Sequence, residues 1–235
     1  MATWAAVKAM RRTAGWRATC AHAADRLLRR LGWGCVHDYL FLAQPIAAPD
    51  TPRPGAFTSR EIGPDDPALD TLPLTPEIRA YRFGQDAVCV GSFDGDNLAA
   101  VLWYTAGPYQ EDEVRARYAP VPALVCAWDF GVYVLPRYRL SRAFASLWAG
   151  AAASMHRRGM RWSLSRINSV NGASVAAHRR LGANPIGRAT FLRLGGLQIA
   201  VANCRPWLHC GLTDRAWPLY RLHAPEECRE RHVRG

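Results

Sequence analysis

Three groups of residues in the middle of this chain have the types and spacing to do chemistry. Asn171 is followed by Ser174, His178 and Gly182, and this spacing sets Ser174 and His178 one turn apart on the same face of a helix. Histidine is the side chain that most readily changes charge near neutral pH; the alternative reading of His178 is a partly exposed helix residue beside Arg179 and Arg180. Upstream, Asp129 is the sole acid in the apolar run Ala123–Leu135. A buried unpaired carboxylate is expensive, so an acid there either takes part in chemistry or is paired, most simply with an arginine. Between the two lies Pro136-Arg137-Tyr138-Arg139-Leu140-Ser141-Arg142-Ala143-Phe144, a turn entering a helix. Backbone amides and the dipole at a helix N-terminus can hold phosphates, and Arg137, Arg139 and Arg142 would add charge-assisted contacts.

The elements that must position these residues follow from local pattern. Cys35–Ile46 is rich in aromatic and branched residues and reads as a first strand. Ala47–Pro76 is proline-rich and reads as a loop with at most a short helix at Pro67–Leu72, and Thr75-Pro76-Glu77 starts a helix. Ala87–Phe93 and Leu98–Thr105 flank Asp94-Gly95-Asp96-Asn97, a hairpin. Ala123–Leu135 is a long strand whose Gly131 marks a bulge or a close backbone approach. Ser141–Arg158 has helical periodicity and stops at Gly159; Arg161–Ile167 is a strand, Ala173–Leu181 a helix, and Ile186–Leu194 and Leu197–Ala202 two further strands. The order is strand, helices, three strands, helix, strand, helix, two strands.

This order and its phrases, over Cys35–Asn203, resemble the GNAT superfamily of acyl-CoA-dependent N-acyltransferases. The resemblance implies an α/β (α+β) fold: a mixed, mostly antiparallel sheet of about seven strands, splayed between the fourth and fifth and flanked by helices. It implies that Val132, Tyr133 and Val134 hold the pantetheine arm through backbone bonds. The family's pyrophosphate turn corresponds to Arg137, Arg139, Leu140, Ser141, Arg142, Ala143 and Phe144, although the small residues usual there are replaced. Asn171 and Ser174 match positions that contact the cofactor arm. Asp129 matches a carboxylate that takes the proton of the incoming amine, and His178 stands where a tyrosine often protonates the leaving thiolate. The implied reaction is direct transfer of an acyl group, acetyl in the first instance, from acetyl-CoA or another acyl-CoA to a primary amine of a small molecule or a protein, with no metal.

Composition sets the remaining bounds. In 235 residues the formal net charge is +11, which favours acidic partners such as CoA phosphates, an acidic carrier protein or anionic lipid. Basic residues are dispersed and no recognition motif accompanies them, so nucleic acid is not an expected partner. Seven scattered cysteines without a C-x-x-C pair indicate neither zinc nor a disulfide framework, and a reducing, cytoplasmic setting is expected. Residues 1–34 are basic and amphipathic: a helix packed on the domain, a loose tail, a membrane-surface segment or a transit peptide. Residues 35–203 form the catalytic domain in this reading, and residues 204–235 an extension anchored by Trp207 and Trp217. The altered glycine turn and the excess arginine also suit a GNAT-like acyltransferase whose donor is an acyl carrier protein, or a non-catalytic GNAT-like binding module. The protein is expected to be a monomer or a homodimer.

Overall fold

The computed structural model describes residues 4–48, 57–213 and 217–225, with side chains from residue 15 onward. Helix α1 (Trp4–Arg30), which turns at Gly15, precedes strands β1 (Gly34–Pro45) and β2 (Phe57–Ile62), a 3-10 turn (Pro67–Thr71) and helix α2 (Pro76–Phe83). Strands β3 (Val88–Asp94), β4 (Asn97–Thr105), β5 (Tyr109–Gln110), β6 (Arg117–Val121) and β7 (Cys126–Val134) follow. After a 3-10 turn (Pro136–Tyr138) come helix α3 (Ala143–Arg157), strand β8 (Trp162–Asn168) and helix α4 (Gly172–Arg180). Strands β9 (Asn184–Leu194), β10 (Leu197–Ala202), β11 (Leu208–Gly211) and β12 (Leu219–His223) complete the order. The architecture is mixed α/β with mostly antiparallel strands flanked by helices, as the resemblance implies.

The chain divides into two units, and β8 runs from one into the other. The middle unit (Pro45–Tyr109 and Pro120–Leu164) carries the antiparallel order β2-β3-β4-β7. Its hairpin turns at Gly95, whose φ of 58° is open to glycine without strain. Helix α3 buries Leu147, Trp148, Ala151 and Met155 and packs across β2, β3 and β4. The terminal unit (Met1–Gln44, Gln110–Ala119 and Ser165–Gly235) carries the order β11-β10-β9-β1, with the Ser165–Asn168 end of β8 on the other side of β1. Strand β1 is therefore central, and Tyr39, Phe41, Leu42 and Ala43 are fully buried. Phe41, Tyr118, Phe191 and Tyr220 form its aromatic core with ring centroids 5.6–6.0 Å apart.

Several elements differ from expectation. The seven expected strands are β1, β3, β4, β7, β8, β9 and β10, and two more lie at the outer ends of the strand orders, β2 and β11. Strand β2 falls inside the proline-rich segment read as a loop. It is an edge strand that buries Ile62 while alternating exposed residues, so its pattern is weak, and its place comes from pairing with β3. The expected strand Ala123–Leu135 begins at Cys126, and residues 109–121, for which no strand is expected, contribute β5 and β6. At the C-terminal end, Trp207 is 59% exposed and Trp217 partly buried, whereas Tyr220 and Leu222 enter the core. Cys228 and residues 226–235 lie outside the described residues. In α1, Ala18 is buried but Trp16 and Leu27 are 70% and 58% exposed; the side chains of Trp4, Val7, Met10, Lys8, Arg11 and Arg12 lie outside those described. Among the described residues no helix is long and apolar enough to cross a membrane.

The packing of α3 on β2 depends on Gly150, where an added Cβ would stand 2.3 Å from Ser59 Cβ. Alanine improves helix propensity by about 1 kcal/mol, but overpacking costs about 1–3 kcal/mol. Gly150→Ala is expected to lower the urea midpoint, and Ser59→Gly in the same chain to restore most of the loss.

Candidate active site

In the middle unit the strand pattern breaks where the chemistry was expected. Between β4 and β7, Val101 pairs with Tyr133 and Trp103 with Phe130, so Gly131 and Val132 both face Leu102. This is a β-bulge, and Gly131 turns it with φ 61°. A Cβ there would lie 2.7 Å from Arg82 Nη1 and 3.1 Å from Trp103 Cδ1, so glycine is favoured by the backbone conformation, and a side chain would in addition have to displace the Arg82 guanidinium. Arg82, from α2, is itself buried, with its guanidinium 5.5 Å from the ring centroids of Trp103 and Phe130. A cavity of about 160 Å³ opens at the bulge, lined by Leu72, Leu74, Arg82, Val101 and Gly131 with Val132 and Tyr133. Val134, the third residue expected to hold a pantetheine arm, is half-buried at the end of β7.

Asp129 lies two residues before the glycine and is 2% exposed. Its Oδ2 accepts a hydrogen bond from Ser163 Oγ at 2.5 Å. The expected alternative of an arginine partner is not met: among the described residues no cation pairs with this carboxyl. Burial pushes it up to about 7, and the serine opposes that rise. A carboxyl poised near neutrality is suited to accept a proton.

The turn entering α3 keeps the position of an anion site but changes its donors. Arg137, Arg139 and Arg142 are exposed, and none forms an ion pair among the described residues; the Arg137 guanidinium stacks 4.8 Å from the Tyr138 ring centroid. Leu140 is fully exposed, Ala143 buried and Phe144 partly buried. Ser141 Oγ donates to the Tyr138 carbonyl at 2.7 Å and accepts from the Ala143 N–H at 3.1 Å. One of the amides that a glycine turn would offer to a phosphate is thus capped by the chain itself. Charge at the start of this 15-residue helix comes from the three guanidiniums and the dipole.

In the terminal unit Asn171 caps α4, its Oδ1 accepting from the Ser174 N–H at 3.1 Å. Ser174 is half-buried. His178 is 3% exposed, with Nδ1 3.1 Å from Gln44 Oε1 on β1. Neither sequence reading of this histidine anticipated that setting. It is not a partly exposed residue, and burial lowers the ring to about 4, so the imidazolium that a proton donor to thiolate needs is disfavoured at pH 7. The partner Gln44 lies far away in sequence, and the motif gives no sign of it. A second cavity, about 1030 Å³, lies on the other side of α4, lined by Gly172, Val175, Ala176 and Arg179 together with Arg17 and Arg188. The larger cavity contains neither Asp129 nor the turn nor His178.

Sequence reasoning passed over Arg82, Ser163 and Asp38. Asp38 is 4% exposed in the middle of β1, bonded by Ser169 Oγ and by Thr190 Oγ1 at 2.7 Å. Like Asp129, Asp38 is an acid inside an apolar run, and it is legible in the sequence on the same ground. Among the described residues no group of three His, Cys, Asp or Glu side chains is placed to hold a metal.

A scan against protein-family models found no match, and a search of curated proteins found none. Similar solved structures include a tandem GNAT protein from the clavulanic acid biosynthesis pathway, at 15% identity and a TM-score of 0.48 over 75% of this chain and 59% of that one. A GCN5-related N-acetyltransferase from Kribbella flavida is 18% identical with a TM-score of 0.44, over 73% and 63%. A GNAT-family acetyltransferase from Novosphingobium aromaticivorans is 17% identical with a TM-score of 0.43, over 66% and 62%. The chain spans less than two thirds of the length of each.

Two buried groups give opposite pH dependences of stability. Asp129 is raised in the folded state to about 7, so the native protein holds this proton more tightly, and the contribution present below pH about 4 is lost as pH rises to about 7. His178 is lowered to about 4, so its contribution, present above pH about 6.5, is lost as pH falls to about 4. Three pKa units correspond to about 4 kcal/mol. Asp129→Asn is therefore expected to be more stable than the parent at pH 8 by up to about 4 kcal/mol, with the difference vanishing near pH 4. His178→Gln should flatten the acid limb instead; urea midpoints at pH 4, 6 and 8 check both.

Proposed function

We propose that this protein is a GNAT-type N-acyltransferase that moves an acyl group, acetyl in the first instance, from acyl-CoA to a primary amine by direct attack. The observation that carries the reading is Asp129, an enclosed carboxyl near neutral pKa, two residues before a glycine-turned bulge with a cavity at its mouth. In this reading Asp129 takes the proton of the incoming ammonium, directly or through a water. The backbone at Val132, inside the bulge, and at Tyr133 and Val134, just beyond it, holds the pantetheine arm and polarises the thioester carbonyl. Arg137, Arg139 and Arg142, with Leu140, Ser141, Ala143 and Phe144 forming the turn, receive the CoA phosphates. Asn171 and Ser174 contact the cofactor arm. The thiolate takes its proton from water, because His178 is held neutral by burial.

A second reading replaces CoA by an acyl carrier protein. Leu140, fully exposed among three exposed arginines that form no ion pair among the described residues, favours it, since an acidic partner helix would meet both charge and an apolar contact there.

With acetyl-CoA and a panel of primary amines, Asp129→Asn is expected to lower kcat at least about a hundredfold, the usual scale of general base catalysis. The parent rate should rise with pH through a midpoint near 7. Full activity of the variant on every amine would end the assignment. Replacing Arg137, Arg139 and Arg142 together by alanine should raise the KM for acetyl-CoA about tenfold and weaken its dependence on salt. A variant that loses activity only with acylated carrier protein points to the second reading.

A further inference from the structure

Strand β1 places Cys35, His37 and Tyr39 at alternate positions, so their side chains share one face. Cys35 Sγ lies 3.3 Å from His37 Nε2, and His37 Nδ1 lies 3.0 Å from the Tyr39 hydroxyl. That hydroxyl donates to Glu113 Oε2 at 2.7 Å, and Glu113 Oε1 is 3.5 Å from His37 Nδ1. The direction of the chain follows from counting protons. The single Tyr39 proton goes to the carboxylate, so its oxygen lone pair faces Nδ1, and Nδ1 must carry the ring hydrogen. Nε2 is then the bare nitrogen, and it faces the thiol. Arg166 fixes the far end, with Nη2 2.9 Å from Glu113 Oε2 and its guanidinium 4.2 Å from the Tyr39 ring centroid.

The setting of the histidine suits a base. His37 is 6% exposed, and burial lowers its ring below the ordinary value, with Glu113 opposing. Cys35 is a free thiol and partly exposed at the start of the strand, so a reactant can reach it. Arg29 of α1 stands close enough for its charge to interact with the Cys35 sulfur. A nucleophile, a base within hydrogen-bond reach and an acid that orients the base are the elements of an activated thiol.

We propose that Cys35 is a nucleophile, activated by His37 and oriented through Tyr39 and Glu113, that accepts an acyl group from a thioester. The Cys35 sulfur forms a bond to the thioester carbonyl carbon, and the carbon–sulfur bond of the donor breaks. The Cys35 proton passes to His37 Nε2 and from there to the departing thiolate, leaving S-acyl-Cys35 and a free thiol. No other reactant is needed. The choice of a thioester rests on the acyltransferase reading, but none of the residues assigned to amine transfer takes part.

The test is to incubate the full chain with acetyl-CoA, and separately with S-acetyl-N-acetylcysteamine, and to follow each cysteine by peptide mass spectrometry. Cys20 and Cys210, both exposed free thiols, are the internal references. Cys35 is expected to acylate about tenfold faster or more than either reference, in line with general base assistance. His37→Gln should bring it down to the reference rate, and Tyr39→Phe should slow it several-fold while thermal melting confirms a folded chain. Equal rates at the three cysteines, or an undiminished rate in His37→Gln, overturn the proposal; if that variant does not fold, the parent ratio and Tyr39→Phe decide. Rapid alkylation by iodoacetamide without acylation overturns the thioester assignment. Asp129→Asn should keep Cys35 acylation while losing amine transfer. Cys35 acylation without amine transfer in the parent chain overturns the amine reading alone, and amine transfer without a preference for Cys35 overturns this one alone.

Discussion

A carboxyl enclosed in the middle of a strand, with no cation beside it among the described residues, is the constraint around which the middle unit is arranged. Asp129 has one hydroxyl for company, and burial keeps its proton bound up to about pH 7. A group left in that state lowers stability at physiological pH, because one hydroxyl does not offset the cost of burying the charged form. Two residues on, the strand gives up regular pairing at Gly131, and Arg82 fills the space that a side chain there would have taken. The buried acid and the bulge are both local departures from what folding alone favours, and such departures cluster at functional positions.

The terminal unit handles buried charge in the opposite way. Glu111 and Arg166 pair at 2.5 Å with little exposure of either side chain, and Arg166 also reaches Glu113. Asp38 is bonded by Ser169 and Thr190 and lies 3.5 Å from Arg188, tying β1 to β9 and to the chain after β8. Removing one member of such a network leaves the others buried without compensation, which makes the network specific even where its net stabilisation is small. Strand β1 carries both kinds of side chain, Asp38 on one face and Cys35, His37 and Tyr39 on the other.

Helix α4 separates two demands that the sequence phrase had joined. Asn171 and Ser174 close its first turn, an arrangement any N-cap makes, whereas His178 is turned into the unit beside Gln44. Helical spacing correctly put Ser174 and His178 on a common side, but spacing carries no information about depth. One turn separates a half-buried hydroxyl from an enclosed ring.

Local features are written into the order of residues. The hairpin at Asp94–Asn97, the helix started at Thr75-Pro76, the bulge glycine and the order of the seven principal strands are all readable, because turn chemistry, capping and hydrophobic period act over a few residues. Edge strand β2 and the short strands β5 and β6 were not, since their residues alternate weakly and only pairing makes them strands. For the candidate site, an acid inside an apolar strand was legible at Asp129 and its environment was not. That the acid meets Ser163 rather than an arginine, that Gln44 faces His178, and that Glu113 closes a chain begun at Cys35 depend on contacts 34, 134 and 74 or more residues apart. Tertiary structure alone decides such partners, because burial and charge are set by what the fold brings near and not by what stands beside a residue in the chain.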